Sequence, residues 1–358
     1  MHPADAPLPG FYPVVPAGGV GSRLWPLSRP DRPKFLIDLL GTGATLIQDT
    51  VARLAPLGEE VLIVTGERHA GAVAEQLPRV PARNIVTEPS PRDSMAAIAL
   101  AAALIEARHG EQIMGSFAAD HVIPDAAAFR TAVATAVAAA RTGKVVTIGI
   151  EPTEPSSAFG YIRSGAELAD APGAYAVEAF TEKPDADAAA AMLAAGGHSW
   201  NAGMFVVSTA VLLGHLARLQ PALEAGVREI AAAWDGPDRA DALARIWPTL
   251  TRIAIDHAIA EPVAAAGGVA MVPGPFAWDD VGDFDSLAAL LEPGADGVIR
   301  IDRTAPVALV DAPGAVVVGG AKPIAVVGIA DAVVVETEDA ILVLARHAAQ
   351  RVKDVTLR

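Results

Sequence analysis

Val14-Val-Pro-Ala-Gly-Gly-Val-Gly-Ser-Arg-Leu-Trp-Pro-Leu-Ser-Arg-Pro-Asp-Arg-Pro-Lys-Phe-Leu36 carries an apolar strand into a loop of glycine, proline and positive charge. Gly18, Gly19 and Gly21 let the backbone take positive φ and come close to a ligand, which a side chain would prevent. Arg23 and Lys34 add two fixed cations, and Pro26, Pro30 and Pro33 forbid regular helix or paired strand between them. The stretch reads as a rigid anion-binding loop. It is neither a dinucleotide fingerprint, because Leu24 stands where the third glycine belongs, nor a Walker A loop, because Gly-Lys-Ser/Thr is absent. The bland alternative is a glycine-rich turn with a solvated Arg and Lys, and the combination of glycines, prolines and both cations makes it the minority reading.

Working outward, Tyr12-Pro-Val-Val is followed by Leu46, Ile47, Val51 and Leu54 at helical spacing and then by the short apolar run Glu60 to Thr65. Strand, helix, strand predicts a parallel sheet covered by helices, with the loop at the sheet's carboxyl end, where ligands bind in open α/β folds. Asn84 to Asp93 leads into an apolar helix from Met95 to Ala107, for which Asp93 or Ser94 can serve as cap; a capped core helix leaves Glu88 and Arg92 unaccounted for. Gln112 to Pro124 reads as a buried strand ending in Asp120 and His121. An Asp at such an end suits a hard divalent cation, although Asp also ends strands for turn chemistry alone. A helix over Ala126 to Ala140 and a strand over Lys144 to Ile150 follow.

From Phe159 the texture changes to short aromatic-bearing strands, which look like an inserted substrate-binding subregion. Within it Glu182 can accept from hydroxyls, Lys183 can pair with phosphate, and Asn201 can both donate and accept. A surface Glu-Lys pair at a helix start is the competing reading. His198 and His257 have no ligand-like partner at short spacing and read as structural. Asp256 to Ala265 reads as a helix. In Phe276 to Asp285 four acids are interleaved with Trp278, Val281, Gly282 and Phe284, so a carboxylate here is anchored, and Asp280 is a metal candidate; no local spacing joins it to Asp120. Beyond Leu291, short β-rich runs begin near Val307, Val316, Ile324, Val333 and Ile341, a regular spacing that predicts small coils or a meander rather than βαβ units, with a short closing helix from His347 to Leu357.

The whole composition bounds these readings. The 358 residues, 52% hydrophobic, suffice for a large domain plus a smaller one, here divided at 1–290 and 291–358. A formal charge of −15 argues against a nucleic-acid-binding surface and, for a polyanionic substrate, points to a metal ion as the source of missing positive charge. Absence of cysteine removes disulfides, thiolate catalysis and cysteine-held metal sites. The opening residues lack the basic and long apolar regions of a signal peptide, and no apolar run reaches membrane length, so a cytoplasmic location is expected.

With these pieces in view, the sequence resembles the sugar-1-phosphate nucleotidyltransferases, and within them the branch that uses GTP and mannose 1-phosphate. The motifs are AGGVGSRLWPLSRPDRPKFL at 17 to 36, EPSPRDSMAAIALAAAL at 88 to 104, AADHVI at 118 to 123, FGYI at 159 to 162, FTEKP at 180 to 184, WNAGMF at 200 to 205 and WDDVGDF at 278 to 284. The resemblance implies an α/β, Rossmann-like domain with a mixed, mostly parallel sheet, followed by a short left-handed β-helix, and transfer of GMP to the sugar phosphate. It implies nucleotide contacts from Ala17, Gly18, Gly19, Gly21, Ser22, Arg23, Glu88 and Asp120, with Glu88 near the guanine. Arg23 would stand at the leaving pyrophosphate, Lys34 at the reacting phosphates, Asp120 and Asp280 on Mg²⁺, and Gly160, Glu182, Lys183 and Asn201 at the sugar phosphate. Departures from the family pattern are Arg92-Asp93-Ser94 in place of Arg-Asn-Thr, and Lys34 meeting Phe35 with no intervening Gln. Some relatives continue into an isomerase domain; with the chain ending at Arg358, no isomerase activity is expected. Homodimerisation through the β-rich tail is also implied, although the tail's own core explains its apolar content equally well. The competing functions are the same chemistry with another nucleotide and sugar phosphate, such as glucose 1-phosphate, and a non-catalytic subunit that binds sugar nucleotides.

Overall fold

The computed structural model describes residues 6–294, 299–301 and 305–355. The opening Met1 to Asp5 and the end of the closing helix at Leu357 lie outside the described residues. The strands are β1 Phe11–Ala17, β2 Leu62–Gly66, β3 Ile85–Glu88, β4 Ile113–Ser116, β5 Val145–Ile150, β6 Tyr161–Leu168, β7 Ala171–Thr181, β8 His198–Ser208, β9 Val269–Pro273, β10 Ile299–Ile301, β11 Val307–Val310, β12 Val316–Val318, β13 Ile324–Val327, β14 Ala332–Glu336 and β15 Ile341–Ala345. The helices are α1 Leu46–Leu54, α2 Glu67–Gln76, α3 Asp93–His109, α4 Ala126–Ala140, α5 Ala186–Ala195, α6 Thr209–Leu219, α7 Pro221–Ala233, α8 Arg239–Ile246, α9 Glu261–Ala265 and α10 Phe284–Ala289.

The chain packs as two compact units that are not contiguous in sequence. One comprises Met1–Gly18, Val51–Ala119 and Ile123–Trp278; the other comprises Gly19–Thr50, Asp120–Val122 and Asp279–Arg358. Packing places two early segments in the same unit as the tail.

The first unit is built on a nine-stranded sheet in the order β3-β2-β1-β4-β8-β5-β9-β7-β6. β1 to β4 run parallel, as do β5 and β9, while β8 lies antiparallel between β4 and β5. That reversal matters for function, because it brings the start of β8 to the carboxyl ends of its neighbours: Trp200 pairs with Ile150 and Asn201 with Gly149. β1, β2 and β5 are buried almost throughout, as expected for strands covered on both faces. α3 is buried from Met95 to Ile105 with no exposed stripe, so this helix is core on every side. Its start differs from expectation: among the described residues Asp93 accepts only from the adjacent Ser94 N–H, and the Ser94 hydroxyl is occupied by the Ile255 N–H at 2.9 Å, so neither side chain caps the helix. The strand expected from Gln112 also stops early, at Ser116, although Phe117 and Ala119 still donate to the Val14 and Pro16 carbonyls.

In the second unit β10, β12 and β14 stack in parallel, and β11 pairs in parallel with β13. Partners in successive coils stand 17 residues apart, as in Ile299, Val316 and Val333. Parallel pairing at a constant step is a coil rather than a meander, and the antiparallel strand β15 ends it. The coil interior, with Val316, Val318, Val333 and Val335 fully buried, shares one apolar cluster with Leu24, Ile37, Leu39, Leu46, Val281 and Phe284. The loop and the acidic segment are thereby anchored on the same core as the tail.

Candidate functional site

In the second unit the loop after β1 folds back on itself around Lys34. Gly19 and Gly21 have φ of 83° and 74°, and Ser22–Leu24 forms a single tight turn. A Cβ on Gly21 would lie within 2.9 to 3.0 Å of the Lys34 stem, so glycine is required there both by dihedral and by space. The Lys34 ammonium ion-pairs with Asp120 Oδ2 at 2.8 Å and donates to the Asp280 main-chain oxygen at 2.6 Å, with Val281 O at 3.4 Å. What joins Asp120 to Asp280 across the sequence is a two-way backbone bridge: Val122 N–H donates to Asp279 O at 2.9 Å, and Asp279 N–H to Val122 O at 3.2 Å. Among the described residues Arg23 has neither a hydrogen bond nor an ion pair, so its charge is available to an anion.

The structure also sorts the four acids of the last motif. Asp279 Oδ1 accepts from the Val281 N–H at 2.6 Å, and burial pushes its carboxyl up to about 6. Asp283 closes a capping box on α10 through the Asp285 and Ser286 amides and also accepts from the Gln350 amide. Asp285 is paired with Arg346 at 2.6 Å. Only Asp280 has a carboxylate with no partner among the described residues. No cluster of three or more His, Cys, Asp or Glu groups suited to a metal occurs among the described residues. Two hard carboxylates without an all-protein cage suit a small divalent cation that completes its shell with water and substrate phosphates. Asp120 and Asp280 fit that donor set.

In the first unit the aromatic-bearing strands bring Gly160, Glu182, Lys183 and Asn201 together. Asn201 N–H donates to Gly160 O at 2.7 Å, and a Cβ on Gly160 would stand 2.5 Å from Glu182 Oε2, so the glycine makes room for that carboxylate. Lys183, at φ 45°, pairs with Glu182 Oε1 at 2.6 Å. Burial pushes the Lys183 ammonium down, but Glu182, Asp256 and Asp93 outweigh it and leave its pKa above the usual lysine value. The Asn201 side chain is held by the Thr147 hydroxyl and the Gly203 amide on its oxygen and donates to Asp256 Oδ1 at 3.0 Å. The Phe159 ring lies 5.1 Å from Trp200 and 5.0 Å from Trp278, an aromatic wall beside Gly160. Nothing in the sequence marks Asp256, because an acid at a helix start is ordinary local chemistry; only burial and three-dimensional neighbours distinguish it.

At the carboxyl end of the parallel strands, Ala17 O accepts from the buried Thr65 hydroxyl at 2.8 Å, and Glu88 ends β3 opposite Gly66. Glu88 is 8% exposed, its Oε2 is buried without a partner, and burial pushes the carboxyl up to about 7. Arg92, by contrast, is a scaffold residue: it donates to the Pro248 and Leu250 carbonyls, while the Trp247 indole N–H donates to Ser90 O at 2.8 Å. A native carboxyl that holds its proton longer than the unfolded one costs stability as pH rises from about 4.5 to about 7. Glu88→Gln is therefore expected to stabilise the protein at pH 8, by at most on the order of 3 kcal/mol, and to change little below pH 4.5. Chemical denaturation at the two pH values measures this, and equal stability of both proteins at pH 8 would contradict it.

A nucleotidyl transferase family model matches residues 12–293, and a model for a MannoseP isomerase/GMP-like beta-helix domain matches residues 306–358. The chain belongs to the nucleotidyl transferase family. It is 37% identical to the xanthan biosynthesis protein XanB of Xanthomonas campestris pv. campestris (strain B100) and 38% identical to the mannose-1-phosphate guanylyltransferase of Escherichia coli (strain K12). Both matches cover 96% of this chain and 72% of the relative. A solved structure from Thermus thermophilus, titled a mannose-1-phosphate geranyltransferase, superposes with a TM-score of 0.84 at 31% identity, over 96% of this chain and 98% of that one.

Proposed function

We propose that this chain transfers GMP from GTP to mannose 1-phosphate, releasing pyrophosphate and giving GDP-mannose. The observation that carries the chemistry is the Lys34 ammonium paired with the Asp120 carboxylate and bonded to the main chain of Asp280, whose own carboxylate has no partner among the described residues. The choice of substrates is supported by relatives named for that reaction at 35% to 40% identity. A sugar-phosphate oxygen bonds to the α-phosphorus as the bond to the bridging oxygen of the leaving pyrophosphate breaks. The attacking oxygen is already anionic, so the protein needs no general base, and its task is positioning and charge neutralisation.

In this proposal the backbone from Ala17 through Gly18, Gly19 and Gly21 to Ser22 receives the triphosphate, Arg23 meets the departing pyrophosphate, and Lys34 meets the reacting phosphates. Asp120 and Asp280 would hold Mg²⁺, which supplies charge neutralisation at the phosphates. Lys183 pairs with the sugar phosphate, and Glu182, Asn201 and Gly160 receive the sugar. Glu88 accepts from the guanine N1–H and amino group, donors that adenine does not present together. No helix among the described residues is long and apolar enough to cross a membrane; a cytoplasmic location, where GTP is available, belongs to the same proposal.

Pyrophosphate release over a panel of nucleoside triphosphates and sugar 1-phosphates tests the reading. GTP with mannose 1-phosphate is expected among the best pairs, and its absence from them refutes the assignment. In the same panel Glu88→Gln is expected to lose about 10- to 100-fold in kcat/KM for GTP, the worth of one charge-assisted hydrogen bond, with little change for ATP. An equal loss for both nucleotides would remove Glu88 from base selection.

A further inference from the structure

Asp256 lies beside the Glu182, Lys183 and Asn201 group and has no part in the roles assigned above. Its position is firmly set. Immediately upstream, Ile255 N–H donates to the Ser94 hydroxyl and Ile253 O accepts from the Met95 N–H, which ties the segment to the head of α3. Asp256 itself opens the wide turn Asp256–Ala260, closed by the Glu261 N–H on the Asp256 carbonyl. Turns of this type inside helices recur at functional sites.

The hydrogen-bond inventory of the group is unequal. Asn201 Oδ1 is occupied by Thr147 and Gly203, and one Nδ2 hydrogen is given to Asp256 Oδ1, leaving one N–H to offer. Glu182 spends Oε1 on Lys183, and Oε2 stands over Gly160 in the space a Cβ would fill. Asp256 spends Oδ1 on Asn201, and Oδ2 has no hydrogen-bond partner among the described residues. Among the described residues this leaves two carboxylate oxygens and one amide N–H without partners, beside the Lys183 ammonium. The charged groups facing Asp256 are Glu182, Lys183 and His257, and burial followed by the charge of Glu182 holds its carboxyl up at about 6. Such an under-solvated carboxylate gains from any hydroxyl that donates to it.

We propose that Asp256 is a specificity-determining residue of the sugar site, its free oxygen accepting one hydroxyl of the sugar while Glu182 accepts a second. The substrate class is a hexose 1-phosphate with both of those hydroxyls unsubstituted. Asp256 also holds Asn201 so that its remaining N–H faces the same ligand. The inference rests on the assignment of Glu182, Lys183 and Asn201 to the sugar phosphate.

The test uses the full chain with GTP, mannose 1-phosphate and its monodeoxy analogues, comparing wild type, Asp256→Asn, Asp256→Ala and Asn201→Ala by kcat/KM for the sugar phosphate and KM for GTP. Asp256→Asn keeps an acceptor for Asn201, so it guards against loss of folding, which thermal melting monitors. Wild type is expected to disfavour two analogues, each lacking one of these hydroxyls, by roughly 10- to 100-fold, and one of the two penalties is expected to vanish in Asp256→Ala with KM for GTP unchanged. Penalties that persist for every analogue, or a loss in Asp256→Ala that is the same for all of them, overturn the inference. If Asn201→Ala leaves kcat/KM for the sugar phosphate untouched, the assignment of the site itself fails; if it does not, and Asp256→Ala does, only the role of Asp256 falls.

Discussion

Lys34→Ala is expected to lower turnover by roughly 10²–10³, the usual consequence of removing one preorganised charge from a site where negative charge is stabilised. The Lys34 ammonium does more than present a charge. It neutralises Asp120 and bonds to the main chain at Asp280, two segments far apart in sequence that the Val122–Asp279 bridge also joins. With both side chains of the ion pair largely buried, at 12% and 18% exposure, truncation leaves Asp120 without its partner and costs stability, by about 1–3 kcal/mol. A measured melting temperature a few degrees below wild type, with near-complete loss of pyrophosphate release, is the expected combination. Turnover within a few-fold of wild type in a folded variant would mean that Lys34 is a structural tether only.

Asp280→Asn is expected to lose turnover to a similar extent, roughly 10²–10³, but with melting unchanged. The Asp280 carboxylate has no partner among the described residues, and its structural contribution is the main-chain oxygen, which the substitution leaves in place. Asp283→Ala provides the opposite case three residues on: it removes the α10 cap and the acceptor for Gln350, which costs roughly 0.5–2 kcal/mol of stability for the cap alone. Its turnover per folded molecule is expected to stay near wild type. Kinetics and melting of the two variants side by side distinguish a ligand for cations from a helix cap, and a stability loss in Asp280→Asn equal to that of Asp283→Ala would reverse the assignment.

Much of the architecture is legible in the sequence because it is written in local patterns. The glycines at 19 and 21, which take positive φ while Gly18 does not, the helical spacing of Leu46 to Leu54 and the regular recurrence of apolar runs from Val307 each report a backbone preference over a few residues. Those preferences are realised as the loop, α1 and the coil. Antiparallel β8 is not legible, because an apolar strand looks the same in either direction, yet its reversal is what carries Asn201 to the carboxyl end of β5.

The sequence by itself determined the fold class, the glycine-rich loop and the pool of charged residues, since dihedral freedom, periodicity and residue chemistry are properties of short segments. Tertiary structure alone decided which members of that pool remain available. Of four neighbouring acids it assigned Asp279 to a turn, Asp283 to a cap and Asp285 to Arg346, and left the Asp280 carboxylate without a partner among the described residues. It took Arg92 into the scaffold and brought Asp256 from an ordinary helix start to the side of Glu182 and Asn201. The physical reason is that a side chain's availability depends on hydrogen-bond partners and burial, and here both are set by residues far away along the chain.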